Sequence, residues 1–195
     1  RNYLAPQDWD ERIILIAIDD KSLQELGSFS SWPRSYYQQL LEVLSHSPPA
    51  AIGFDILFAD PSPDDLSLGA EIDLQGNLVL PNAWDSQGNP IDIIDEFEKV
   101  AEVGHIFSIL DSDGIARQAY LYKQGEPSLG LTTLEVYKNN LSHTFKANSE
   151  TSFDEPIVIP KLSNSQKDKK IWINWPNKGK KLKTYSFVDV IRTGI

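Results

Sequence analysis

Short apolar runs separated by polar punctuation make up most of this chain. The first, Ile13 to Ile18 (IILIAI), is too short for a helix and rich in β-branched residues. It predicts a strand buried on both faces. The run ends at Asp19-Asp20. Ser22, with Glu25 three residues later, has the spacing of a capping box and predicts a short helix that Gly27 stops. Ser31-Trp32-Pro33-Arg34 opens the next helix, with Pro33 suited to a first helical position. Tyr37, Leu40, Leu41 and Leu44 then recur at i, i+3, i+4 and i+7, the core stripe of an amphipathic helix. Pro48-Pro49 ends it, and Ala51 to Phe58 (AIGFDILF) predicts a second buried strand. Strand, helix and strand between Ile13 and Phe58 favour a right-handed βαβ unit with parallel strands.

Asp60 to Asp65 (DPSPDD) predicts a loop and a helix start, with a short helix before Gly76. Asn77 to Pro81 (NLVLP) predicts a third strand, Asn82 to Pro90 a loop, and Ile94 to Val103 a helix with Phe97 and Val100 inward. Val103 to Leu110 reads as a strand. Asp113-Gly114 is a hairpin signal, with Ile115 to Lys123 as the return strand. A helix over Pro127 to Asn139 and a loop over Asn148 to Pro156 follow. Short strands at Ile157 to Pro160 and Ile171 to Trp175 come next, then a last helix from Ser186 to Arg192 that stops at Gly194. The pattern predicts an α/β fold with a mixed, partly parallel β-sheet flanked by helices, as one domain over residues 1–195.

Composition narrows the function. The net charge of −10 argues against nucleic acid as a partner, because phosphate binding needs a basic surface. The charge is uneven: eight lysines and Asp168 give Lys161 to Lys183 a charge of +7 and leave −17 on the rest. That stretch is either a solvated loop or lysine-protected edge strand, or a contact for a membrane surface or an acidic partner. With no cysteine there is no disulfide framework and no thiol chemistry. No apolar run approaches the ~18 residues of a spanning helix, and no signal peptide is visible. Starting at Arg1, the chain reads as a segment excised from a longer protein.

Asp19 and Asp20 stand at the carboxyl end of the first predicted strand, and Asp55 within or near the end of the second. Ligands of open α/β sheets bind beyond the carboxyl ends of strands. These carboxylates therefore either hold a metal or polar ligand, or accept hydrogen bonds from helix N-termini and loop amides. Asp55, flanked by Phe54 and Ile56, needs partners if buried. Trp32, Arg34, Tyr36 and Tyr37 either line a ligand pocket through stacking and cation–π contact or pack a helix entry. Asp111-Ser112-Asp113-Gly114 begins like a calcium loop, but Ala116 and Tyr122 occupy the positions that need Gly and Glu, so it predicts a tight turn. Arg117 pairs with an anion or with Asp111. His46, His105 and His143 lack zinc-ligand spacing, and His105 reads as a satisfied structural histidine in a strand. There is no phosphate loop, no nucleophile elbow and no HExxH. No catalytic residue, metal or cofactor is expected.

In order along the chain, IAIDDKSLQELG, WPR, AIGFDILFADPSPDD, GNLVLP, GHIFSILDSDGIAR and YSFVDVIRTG resemble the second family of CHASE domains (cyclases/histidine kinases associated sensory extracellular). The resemblance runs from about Ile13 to Gly194 and is most specific in FDILFADPSP and the DxDGxxR segment. It departs from the family in the reduced WPR motif, and in lacking a strand expected after Gly194. It implies an extracytoplasmic sensory domain of a bacterial, notably cyanobacterial, membrane receptor. Membrane helices would tether the domain, and a cytoplasmic histidine kinase, nucleotide cyclase or Ser/Thr kinase would be its output. Asp19, Asp55, Phe58, Asp113 and Arg117 fall on motif positions. The expected ligand contacts are Asp19, Asp20, Trp32, Arg34, Asp55, Phe58 and Arg117, with a small molecule or ion as stimulus. The alternative is a structural module that pairs two receptor chains as a homodimer and binds nothing small. An enzyme using acidic strand ends for metal-assisted hydrolysis is the least favoured reading.

Overall fold

The computed structural model describes residues 8–145, 157–163, 166–176 and 181–194. The architecture is mixed α/β, with parallel and antiparallel strand pairs flanked by helices. In chain order the elements begin β1 (Ile14–Ala17), α1 (Asp20–Leu26), a 3-10 turn (Phe29–Ser31), α2 (Arg34–Ser45), β2 (Ile52–Gly53), α3 (Asp65–Gln75) and β3 (Leu78–Trp84). They continue with β4 (Pro90–Ile91), α4 (Asp95–Glu98), β5 (Glu102–His105), β6 (Gln118–Lys123), β7 (Glu126–Pro127) and α5 (Leu129–Phe145). The last are β8 (Lys169–Trp172), β9 (Lys183–Ser186) and α6 (Phe187–Thr193). The chain divides into two compact units, Arg1–Pro48 with Trp172–Ile195, and Pro49–Ile171.

In the first unit β1 pairs in parallel with β9, Ile14 opposite Lys183 through Ala17 opposite Ser186. Two expectations fail here. The partner of β1 is β9 and not the strand after α2, so the βαβ unit is not formed. Nor is β1 buried on both faces: Ile14 and Leu15 are 43% and 45% exposed, because a two-stranded sheet covers little of its own surface. The core stripe of α2 is as the periodicity predicts, with Tyr37, Leu40, Leu41 and Leu44 all buried. Burial pushes the Tyr37 phenol up to about 12, since its ionised form would lose hydration. Helix α1 is capped differently from expectation. Asp19, not Ser22, is the N-cap, and its carboxylate accepts the Ser22 N–H. Ser186 precedes α6 and Gly194 ends it, close to the predicted bounds.

In the second unit β3 is central, pairing in parallel with β2 on one side and β5 on the other. Leu78, Val79, Leu80 and Pro81 are buried, as a strand covered on both faces requires. The strand outruns its prediction: it continues through Trp84, and Ala83 and Trp84 pair antiparallel with β4 where a loop was expected. Pro81 sits where the ladder to β2 has already ended, so its missing N–H costs no bond on that side. The second predicted strand is reduced to Ile52–Gly53, although Phe54 and Phe58 are buried beyond it. The helix predicted from Ile94 is a single turn around buried Phe97. Strand β6 pairs with β7 and β8, and bridges to the segment after β5 at Ser108–Ala119. The predicted strand at Ile157 to Pro160 is irregular, and the loop predicted over Asn148 to Pro156 lies outside the described residues.

Helix α5 packs on β2, β3 and β5, and Gly104 sets how closely it approaches. A Cβ on Gly104 would stand 2.7 Å from the Leu129 backbone and 2.8 Å from the Ser128 carbonyl carbon. Backbone on both sides cannot turn aside as a side chain could. Gly104→Ala should therefore cost about 1–3 kcal/mol, read as a melting temperature several degrees lower. An unchanged melting temperature would mean that β5 and α5 are not held at this distance.

Candidate functional site

The residues expected to bind ligand divide between the two units. In the first, the Asp19 carboxylate accepts from the Ser22 N–H at 2.9 Å and from the hydroxyls of Ser22 and Ser186, each at 2.8 Å. These donors, the Ser22 amide foremost, hold its carboxyl below the usual carboxylate range. Asp19 thus acts as a cap tying α1 to the residue before α6, the helix-terminus role weighed above. Asp20 is exposed in the first turn of α1. Trp32 is buried, its indole N–H donates to the Gly27 carbonyl at 3.0 Å, and the rings of Phe29, Tyr36, Tyr37 and Phe187 surround it. Its geometry is that of a packed helix entry. Arg34 is half-buried at the start of α2. A cleft of about 350 Å³ lies elsewhere in this unit, between the carboxyl ends of α2 and α6. Of its lining, Arg192 pairs with Glu25, and His46 Nδ1 meets the Glu42 carbonyl.

In the second unit Asp55 is exposed, so it escapes the cost of burial that its apolar neighbours suggested. Phe58 is a core residue stacked on Phe54 and edge-on to Phe97. Arg117 closes the Asp111–Gly114 turn from outside, bonding Asp111 at 2.7 Å and Asp113 at 2.9 and 2.7 Å. That guanidinium holds the Asp113 carboxyl at about 2. Gly114 takes φ +78° in the turn, the left-handed conformation that a side chain disfavours. Among the described residues, no group of three or more His, Cys, Asp or Glu side chains is placed to hold a metal ion.

A different constellation occupies the carboxyl ends of β3 and β5. Parallel register sets Asn82 opposite His105, so their side chains share one face of the sheet. His105 is 2% exposed. Its Nδ1 accepts the Phe107 N–H at 3.2 Å, which leaves Nε2 as the protonated nitrogen of the neutral ring. Nε2 is buried and has no protein partner. Asn82 Nδ2 donates to Glu126 Oε2 at 2.8 Å, while Asn82 Oδ1 is buried and likewise without a partner. Ser128, bridged to His105, caps the start of α5 through its hydroxyl. The half-buried Trp84 ring lies 5.7 Å from the imidazole and 6.2 Å from Phe107. Burial pushes the His105 imidazole down to about 4; Asp168 works against this and Lys123 with it. The expectation of a satisfied structural histidine is therefore corrected at one atom. The sequence signal was weak: a polar Gly-His step ending an apolar run. The partnership with Asn82 comes from register, which no spacing along the chain encodes.

These elements define an α/β module with a buried polar pair where the parallel strands β3 and β5 stop pairing. The family model of the CHASE2 domain matches residues 1–195, and the chain belongs to that family. CHASE2 domains are extracellular sensory domains of receptors and are not themselves catalytic. No curated protein and no solved structure matches the chain. Among the described residues, no helix is long and apolar enough to cross a membrane.

Proposed function

We propose that this domain binds a small stimulus outside the cytoplasmic membrane and passes its occupancy to a cytoplasmic output domain of the kinase or cyclase type. Membership of a sensory family supports the reading. The observation that carries it to a place in the molecule is the unpartnered His105–Asn82 pair at the carboxyl ends of parallel strands, where α/β sheets bind ligands. Ligand binding would act by favouring one of two receptor arrangements. Asp20 and Arg34 in one unit, and Asp55 in the other, remain proposed contacts from the first set.

The test is a melting-temperature screen against metals, nucleotides, amino acids, sugars and organic acids. A compound that binds only the folded state adds about 2.7 kcal/mol of stability at a hundredfold excess over its Kd. A concentration-dependent rise supports sensing. The exposed apolar residues Ile13, Ile14 and Leu15 favour a second reading, a module that joins two receptor chains. A screen without any rise, together with a dimer in ultracentrifugation that Leu15→Glu dissociates, would replace the first reading by the second.

A further inference from the structure

Resting on the sensing reading, we propose that Asn82 and His105 are the polar floor of a site for a hydroxyl group of a small neutral polyol. The hydroxyl would accept from His105 Nε2–H and donate to Asn82 Oδ1.

The orientation of each group follows from its neighbours. The Phe107 amide fixes Nδ1 as an acceptor, so Nε2 presents a donor. The Glu126 carboxylate fixes the amide –NH₂ of Asn82, so Oδ1 presents an acceptor. One buried donor and one buried acceptor therefore stand side by side on one sheet face, and neither has a partner. Native structures rarely leave such atoms unmet.

Ligand class follows by elimination. A carboxylate accepts from His105 but has no proton for Oδ1, and the Glu126 carboxylate beside Asn82 repels both it and a phosphate. An ammonium group donates to Oδ1 but cannot accept from Nε2–H. A metal ion is refused by a protonated nitrogen. A hydroxyl does both at once. Trp84, half-buried against the imidazole, supplies an apolar wall of the sort that polyol carbons pack on. The location, where the parallel pairing of β3 with β5 ends and beside the start of α5, is where ligands of parallel sheets sit. Water offers the same two bonds, and the experiment must separate it from a ligand.

The test follows the histidine side-chain nitrogens of the whole chain by NMR during titration with glycerol, myo-inositol and glucose. A saturable displacement of His105 Nε2 by at least one of them is expected, with Asn82→Ala weakening it about tenfold, the loss of one hydrogen bond. No displacement by any of the three overturns the proposal, and this reading needs no variant to fold. A slowly exchanging water proton close to Nε2–H, indifferent to the polyols, assigns the bonds to a structural water and also overturns it. A metal, nucleotide or amino acid that raises the melting temperature without moving His105 overturns this site and leaves sensing standing. If no compound does either, both readings fall.

Discussion

Trp32→Ala should destabilise the domain by about 3–5 kcal/mol, the range for truncating a buried tryptophan. Three effects act together. The indole is 7% exposed, so its removal leaves a cavity where four aromatic rings met. The Gly27 carbonyl at the end of α1 loses the indole N–H that it accepts. Phe187 in α6, which is 5.1 Å from the indole and 6.1 Å from Tyr37, loses the nearer of these two ring contacts. Trp32→Phe separates these effects. It keeps most of the ring packing and removes the N–H, and should cost about 1–2 kcal/mol. Urea unfolding measures both through the midpoint. A Trp32→Ala chain of native stability that no longer answers its ligand would make Trp32 a pocket wall, and the packing account would be wrong.

Acidification should weaken the fold through His105. In the unfolded chain the imidazole takes a proton near 6.5; in the fold, burial holds it at about 4. The folded pKa is depressed, so the unfolded state binds the proton first as pH falls. The contribution of His105 is therefore complete above pH 6.5 and is lost between 6.5 and about 4. Below that, both states carry the proton and nothing more is lost. The span corresponds to about 3 kcal/mol at most. Stability measured by denaturant titration from pH 7 to pH 4 should fall in the native chain and fall less in His105→Phe. Parallel curves for the two chains would mean that the ring already finds compensation for its charge in the fold. The same titration bears on the ligand site, since a protonated imidazole cannot accept the Phe107 amide and its ring would have to reorient.

The sequence disclosed helices better than strands, and the difference is physical. The face of α2 is written in its own period, and Tyr37, Leu40, Leu41 and Leu44 need no knowledge of what they pack on. Burial of β1 depends on its partners, and IILIAI looks the same beside one strand as between two. Its true partner, β9 (Lys183–Ser186), begins at the last lysine of the lysine-rich stretch, and its four residues before a helix start carry too little alternation to read as a strand. AIGFDILF contributes only two ladder residues, while Phe54 and Phe58 reach the core without strand pairing. The candidate site was legible only in part. Asp19 and Trp32 were singled out for chemistry that local structure uses internally, because capping carboxylates and ligand carboxylates draw on the same residue types at the same strand ends. Asn82 and His105 are 23 positions apart in sequence, and only the register of β3 against β5 makes them neighbours.

The pairing of β1 with β9 also sets an order of events during synthesis. Strand β1 emerges early, yet its partner follows roughly 170 residues later. Residues 49–171 are continuous and carry their own parallel sheet, so their pairings span shorter stretches of chain. The segment with β1 must wait through that interval without its ladder partner, a long-range closure of the slow kind. Until β9 is made, the backbone amides and carbonyls of β1 stay unpaired and open to the edge of any other strand.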